Sequence, residues 1–295
     1  MNTSPSMSQS TIPVLTTPAE LGPVLDRHRF SGGTVGLIGT SGGLHEGHLS
    51  LIRASVDSSD LTVLWLFTGH VPISTGPVPS YDRNYDRDQE LAIEAGASII
   101  FRPPNEQLFA LGEPLVRLHV ADDLRTPWPG SGDGVFVDMV ANIMAKAVNV
   151  VGPCRLYCGE KDWQNVAVLR RMVTDLSLAA DIVACPSIRE ADGLVLGSRN
   201  TKLEPDERQM AVRIRPALEA AKRLVLDGEI DPDRIMARLK EELAGVGRLE
   251  YAVVVDAATL APVRPIRGNI RVLVSIAFSH TNLMDNIGVS APVAS

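Results

Sequence analysis

With 295 residues, 45% of them hydrophobic and 21% charged, the chain can bury a full core, and its composition is that of an ordinary soluble globular protein of about two domains. A net charge of −7 argues against the clustered Lys and Arg surface that nucleic-acid phosphates require, and no apolar run approaches the ~20 residues of a membrane-spanning helix.

Residues 1–12 are rich in Ser and Thr and have neither a basic start nor an apolar segment, so they read as a disordered lead and not as a secretion signal. An apolar run at 34–38 predicts a strand, and it leads into Gly39-Thr40-Ser41-Gly42-Gly43 and then His45-Glu46-Gly47-His48. The order is strand, glycine-rich loop, helix N-terminus. Small residues let a backbone come close to an anion, and the free N–H groups and positive dipole end of a helix starting near Glu46 favour phosphate there. His45 and His48 share one face of its first turn. Capping or surface chemistry is the plainer alternative, and zinc is a poor one, because no further Cys, His or carboxylate cluster accompanies the two rings.

Further strand-like runs lie at 61–67, 98–101, 156–158 and 182–185. Helix-period stretches separate them, through Leu49, Ile52 and Val56; Leu91, Ala92 and Ala95; Val140, Met144, Val148 and Val151; and Val166, Leu169, Val173 and Leu176. Short apolar strands alternating with amphipathic helices predict a doubly wound, Rossmann-like parallel sheet over residues 13–189, with its ligand beyond the carboxyl ends of the strands. After residue 190 the pattern changes to a long helix at 205–225, another at 232–243, and strands at 250–255 and 271–277. This predicts a smaller α+β domain, residues 190–295, placed to close over the first as a lid. Stretches 69–80 and 125–133 are rich in Pro and Gly and read as functional or mobile loops. Cys154, Cys158 and Cys185 cannot all pair and sit in apolar segments, which fits buried thiols in a reducing cytoplasm.

Two more motifs carry chemistry. Cys158-Gly159-Glu160-Lys161-Asp162-Trp163-Gln164-Asn165 joins a strand to a helix capped at Asp162, and a lysine at such a junction reaches phosphates held at neighbouring strand ends. Leu196-Gly197-Ser198-Arg199-Asn200 offers a hydroxyl and a guanidinium fork to phosphate oxygens. A capped helix with a solvated lysine, and a plain loop, are the alternatives for the two.

In this order and spacing the three motifs, with residues 251–260 and Thr281-Asn282-Leu283-Met284-Asp285-Asn286, resemble the pantothenate synthetase family of pantoate–β-alanine ligases, over about residues 16–288. The resemblance implies an ATP site in the nucleotidyltransferase superfamily fold, with Mg²⁺ accompanying the nucleotide. His45, His48, Lys161, Ser198 and Arg199 become the expected catalytic residues on the phosphates. Ser41, Gly42, Gly47, Gly159, Asp162, Ile188, Leu196 and Gly197 become the expected nucleotide contacts. It also implies a homodimer, small-molecule acid and amine substrates, and no protein ligands to a metal.

The acid pocket departs from the family. Where members carry an Asn-Pro-x-Gln-Phe run, this chain reads Thr68-Gly69-His70-Val71-Pro72, and Asn165 stands where a second pantoate-binding Gln is usual. Ser41 replaces a Met, Gly39 a Pro, and the family's Arg-Pro-Gly-His-Phe stretch has no match. Losing two amide contacts to buried hydroxyls costs on the order of 2–3 kcal/mol, roughly a hundredfold in affinity. Thr68, His70, Val71, Tyr81 and Asn165 are therefore the expected substrate residues. The chain is expected to be an AMP-forming acid–amine ligase for an acid other than pantoate. The alternatives are an authentic pantoate–β-alanine ligase, a nucleotidyltransferase that leaves the nucleotide on its product, and a non-catalytic nucleotide binder.

Overall fold

A computed structural model describes residues 12–67, 84–109, 112, 114–132 and 134–292. The elements run β1 (Val14–Leu15), α1 (Pro18–Phe30), β2 (Val35–Thr40), α2 (Glu46–Ser58), β3 (Leu61–Leu66), α3 (Tyr85–Glu94), β4 (Ile99–Phe101), α4 (Asn105–Leu108), α5 (Asp122–Arg125), α6 (Val135–Val151), β5 (Cys154–Gly159), α7 (Trp163–Asp175) and β6 (Ala180–Cys185). Six parallel strands form one sheet in the order β1-β4-β3-β2-β5-β6. β2 and β3 are apolar without alternation because helices cover both faces. One face packs α1, α6 and α7 through Leu21, Leu25, Ala141, Val148, Val168 and Leu169; the other packs α2 and α3 through Leu49, Ile52 and Ala92.

The chain leaves β2 toward β3 and β4 on one side and returns to β5 and β6 on the other. The strand order therefore reverses between β2 and β5, which pair at Gly36–Arg155 and Leu37–Leu156. Neighbouring loops diverge at such a point and leave a crevice beyond the carboxyl ends. The histidine motif follows β2, and the lysine motif follows β5.

The remaining elements are α8 (Pro205–Ala211), α9 (Ile214–Leu226), α10 (Pro232–Glu242), β7 (Arg248–Asp256), β8 (Asn269–Ala277) and β9 (Asn282–Ser290), the strands forming an antiparallel β7-β8-β9 sheet. α9 and α10 cover it through Leu218, Val225, Ile235 and Leu239, packed on Val272, Val274 and Ile287. A smaller apolar cluster joins the two sheets, with Trp128, Trp163 and Val166 on one side and Val255, Leu260 and Leu273 on the other.

Three expectations need correction. The helix expected at 205–225 is two, α8 and α9, broken at Val212 and Arg213. A third strand, β9, completes the small sheet where polar residues at Asn282, Asp285 and Asn286 disguise the strand pattern. At the start, β1 and α1 are additional elements. α1 is announced by Thr17, whose hydroxyl accepts from the Glu20 amide while Glu20 returns a bond to the Thr17 amide, with Pro18 in the first turn.

Candidate active site

The loop after β2 is held from below. Gly42 and Gly43 take φ of +94° and +68°, and the carboxylate of Asp88 on α3 accepts from the amides of Gly43 at 2.9 Å and Leu44 at 2.7 Å. A Cβ on Gly42 would lie 2.9 Å from that carboxylate, so glycine is needed both for the angle and for the approach. Asp88 is 3% exposed, yet nothing in the sequence separates it from the charged residues around it on α3. Asp88→Ala leaves two amides without their acceptor and is expected to cost about 2–4 kcal/mol of folding stability. Urea unfolding measures this, and a loss under about 0.5 kcal/mol would mean the turn keeps its shape unaided.

His45 is the N-cap of α2. Its Nδ1 accepts from the Gly47 amide at 3.1 Å, its carbonyl from the His48 amide at 2.7 Å, and the His45 amide donates to His48 Nδ1 at 3.4 Å. The expectation of free N–H groups at this helix start is therefore corrected: those of Gly43, Leu44, His45, Gly47 and His48 already have acceptors. The two rings lie beside each other, with centroids 4.2 Å apart. With both Nδ1 atoms accepting, each neutral ring carries its proton on Nε2 and keeps that donor for a ligand.

Burial lowers the His48 pKa to about 3, helped by His45 and the Lys161 ammonium, and burial with Lys161 lowers that of His45. Both rings are neutral donors at pH 7. An imidazole neutral in the fold but protonated in the unfolded chain gives the unfolded chain more protons, so stability is full above pH 6.5 and falls as pH drops toward 3. His48 alone is expected to cost about 3 kcal/mol by pH 4, and His48→Gln should remove that part of the acid sensitivity. Urea midpoints at pH 7 and 4 check this; the same acid loss in both proteins would exonerate the ring.

After β5, Gly159 has open space on its side-chain face, and a 3₁₀ turn, Glu160–Asp162, leads into α7. Asp162 occupies the N-cap position but makes no side-chain cap bond, because the 3₁₀ turn already shapes the helix entry. Lys161 Nζ donates to the Leu196 carbonyl at 3.3 Å and rests on Gly197, where a Cβ would be 2.0 Å from it. The second and third motifs thus meet directly. Burial and the Arg199 charge lower the Lys161 pKa, against Asp162 and Asp285, which raise it. Ile188 accepts from the Leu196 amide at 2.9 Å, closing the hairpin that presents Gly197, Ser198 and Arg199. Ser198 opens a 3₁₀ turn, Ser198–Lys202, and both it and Arg199 are exposed, with Arg199 also donating to the Asn282 carbonyl at 3.3 Å.

Lys161 therefore acts electrostatically on His45 and His48, feels the Arg199 charge, and rests on Leu196 and Gly197, while Gly159 lies two residues before it and Ser41, Gly42 and Gly47 lie in the loop and helix start that carry the rings. Asn165 is half-buried in the first turn of α7, and its side chain has no hydrogen bond among the described residues. Its neighbour Gln164 is committed elsewhere, donating to the carbonyls of Leu124 at 2.8 Å and Arg125 at 3.0 Å. Thr68, His70, Val71 and Tyr81 lie outside the described residues. No group of three or more His, Cys, Asp or Glu side chains is placed to hold a metal ion among the described residues. No helix among them is long and apolar enough to cross a membrane.

A parallel sheet with paired imidazoles and a lysine at its strand-order reversal, and an arginine from the turn after β6 acting on that lysine, has the arrangement of a phosphate-handling α/β enzyme. The family model for pantoate-beta-alanine ligase matches residues 13–288. The chain is 45% identical to pantothenate synthetase 2 of Frankia alni, over 94% of this chain and 84% of that protein, and 34% identical to pantothenate synthetase 1 of the same organism, over 94% and 98%. Pantothenate synthetase from Thermus thermophilus superposes with a TM-score of 0.84 at 32% identity, covering 94% of this chain and 99% of that one. The ligase of Francisella tularensis, solved with beta-gamma ATP and beta-alanine, shares the fold at a TM-score of 0.73 and 20% identity, over 94% and 97%. The chain belongs to the pantoate–beta-alanine ligase family, and it is an ATP-dependent ligase that forms an amide C–N bond.

Proposed function

We propose that the crevice activates a carboxylic acid with ATP and passes it to an amine. The carboxylate attacks the α-phosphorus, pyrophosphate leaves, and the amine then attacks the acyl carbon and expels AMP. Lys161 and Arg199 supply positive charge for the phosphate oxygens, His45 and His48 supply neutral Nε2–H donors, and Ser198 supplies a hydroxyl. Fixed donors aimed at growing charge act in place of water that would have to reorganise. Gly42, Gly47, Gly159 and Gly197 leave the backbone close to the nucleotide, and Ser41, Asp162, Ile188 and Leu196 complete its wall. The observation that carries this reading is the seating of Lys161 on Gly197, beside the paired histidines.

Mg²⁺ is expected with the nucleotide. It is proposed to be held mainly by phosphates and water. The free thiols of buried Cys154 and half-buried Cys158, both pushed up to about 12 by desolvation, fit a reducing cytoplasm. A homodimer is supported by Leu115 and Val116, 99% and 90% exposed apolar side chains on one segment. Residues 190–295 are proposed to cover the crevice as the lid, with Arg199 reaching Asn282.

The acid is proposed to differ from pantoate, because neither of the two expected glutamines is present and Gln164 is not free to replace one. Greater identity to the second Frankia synthetase than to the first agrees with a diverged branch. The second reading, pantoate itself, is supported by the names of all these relatives. Incubation with ATP, panels of acids and amines, and mass-spectrometric detection of AMP and new amides decides. Turnover with another acid at least tenfold above pantoate supports the first reading, and preference for pantoate with β-alanine replaces it with the second. ATP left intact by every pair would sink the ligase reading.

A further inference from the structure

The Thr281–Asn286 stretch of the sequence opens β9, whose Asn282 carbonyl accepts from Arg199. β9 is apolar at Leu283, Ile287 and Val289, but between them Asp285 and Asn286 are buried. Two buried polar side chains in a strand cost desolvation unless every polar atom is satisfied, and apolar residues would serve the fold alone at least as well. Here they are satisfied by the 160–161 turn, by Arg189 of the hairpin and by Arg271 on β8. Asn286 Nδ2 donates to the carbonyls of Glu160 at 2.8 Å and Lys161 at 3.0 Å, while its Oδ1 accepts from Arg271 at 2.8 Å. Arg271 in turn reaches the Glu160 carboxylate at 3.1 Å and lies 3.4 Å over the Trp163 ring, whose Nε1 donates to the Ala257 carbonyl. Asp285 takes both arms of Arg189 at 2.7 and 3.0 Å.

The two partners matter together. Arg189 stands in the hairpin that offers Leu196 and Gly197 to the lysine, and Glu160 and Lys161 are the turn from which the lysine starts. Two adjacent residues of one strand thus hold both the backbone of Lys161 and the seat of its amine, fixing the distance between them. A cleft of about 770 Å³ behind the turn is lined by Arg189, Arg215 and Arg271, already paired with Asp285, Glu219 and Glu160, so it offers less to a new ligand than the clamp offers to the lysine.

We propose that Asn286, with Asp285 beside it, is a positioning residue for Lys161, so that the small sheet sets the reach of the lysine toward the phosphates. This deepens the ATP-ligase reading and rests on it. Pyrophosphate release is measured with whichever acid drives it, in four proteins: wild type, Asn286→Ala, Lys161→Ala and the double variant. Asn286→Ala is expected to lower kcat at least thirtyfold, with a threefold or smaller change in KM for ATP. In the Lys161→Ala background the same change should cost less than threefold, because the group being positioned is gone. Equal losses in both backgrounds would overturn the proposal by showing a general structural role, and so would an unchanged kcat. If Lys161→Ala itself changes nothing, the phosphate role of Lys161 fails first, and that result is distinguishable. Should Asn286→Ala not fold, Arg271→Lys removes the support on Asn286 Oδ1 while keeping charge beside Glu160. It is then expected to cost kcat three- to tenfold in the wild-type background alone, and equal losses in both backgrounds again overturn the proposal.

Discussion

Gly197→Ala is expected to lower the rate of pyrophosphate release by about a hundredfold or more, the scale of losing one fixed donor on a developing charge, while the protein stays folded. Gly197 sits in extended backbone with φ of −175°, which alanine adopts without strain. The added methyl would meet Lys161 Nζ at 2.0 Å and Cε at 3.4 Å. The end of a lysine moves far more cheaply than a backbone, so the fold yields at the lysine and the amine leaves its seat on the Leu196 carbonyl. Thermal unfolding should shift by no more than a few degrees. Stopped-flow release of pyrophosphate checks the rate, and a variant as fast as wild type would show that the position of the amine does not matter.

Val71→Gln combined with Asn165→Gln is expected to raise kcat/KM for pantoate by roughly a hundredfold, from two restored amide contacts to buried hydroxyls. Asn165 is half-buried, and its side chain has no hydrogen bond among the described residues to lose. Gln164 keeps its bonds to the 124–125 carbonyls and leaves the new amide as the one free to turn toward a substrate. The double variant should exceed either single one, since two amides on one ligand act together. A pantoate assay across the four proteins measures the gain. If pantoate turnover does not rise in any variant, positions 71 and 165 do not define the acid pocket.

The parallel sheet was legible because its strands are short apolar runs separated by helix-period stretches, a pattern that burial on both faces enforces. The candidate site was legible through its glycines and its local runs of His, Lys, Ser and Arg, which the fold brings to neighbouring loops. Hidden were the contacts between distant segments. Asp88 looks like any charged helix residue until the 42–44 loop is folded over it, and Asn286 looks like a turn residue until β9 meets the 160–162 turn. β9 itself was obscured for the same reason, since the residues that clamp the lysine break its apolar alternation. The charge state of the histidines was also out of reach, because it depends on burial and on Lys161, which lies far along the chain.

The grip of Asp88 on the Gly42–Leu44 turn places a thermodynamic cost at a particular moment. Glycines at positive φ are the most conformationally free residues in an unfolded chain, and fixing them loses about 1–2 kcal/mol of backbone entropy each. The acceptor that holds the turn belongs to the chain itself, so the entropy lost in fixing these glycines falls within folding. A nucleotide bound at this loop, as proposed, would meet a turn already in shape and keep more of its contact energy for the reaction.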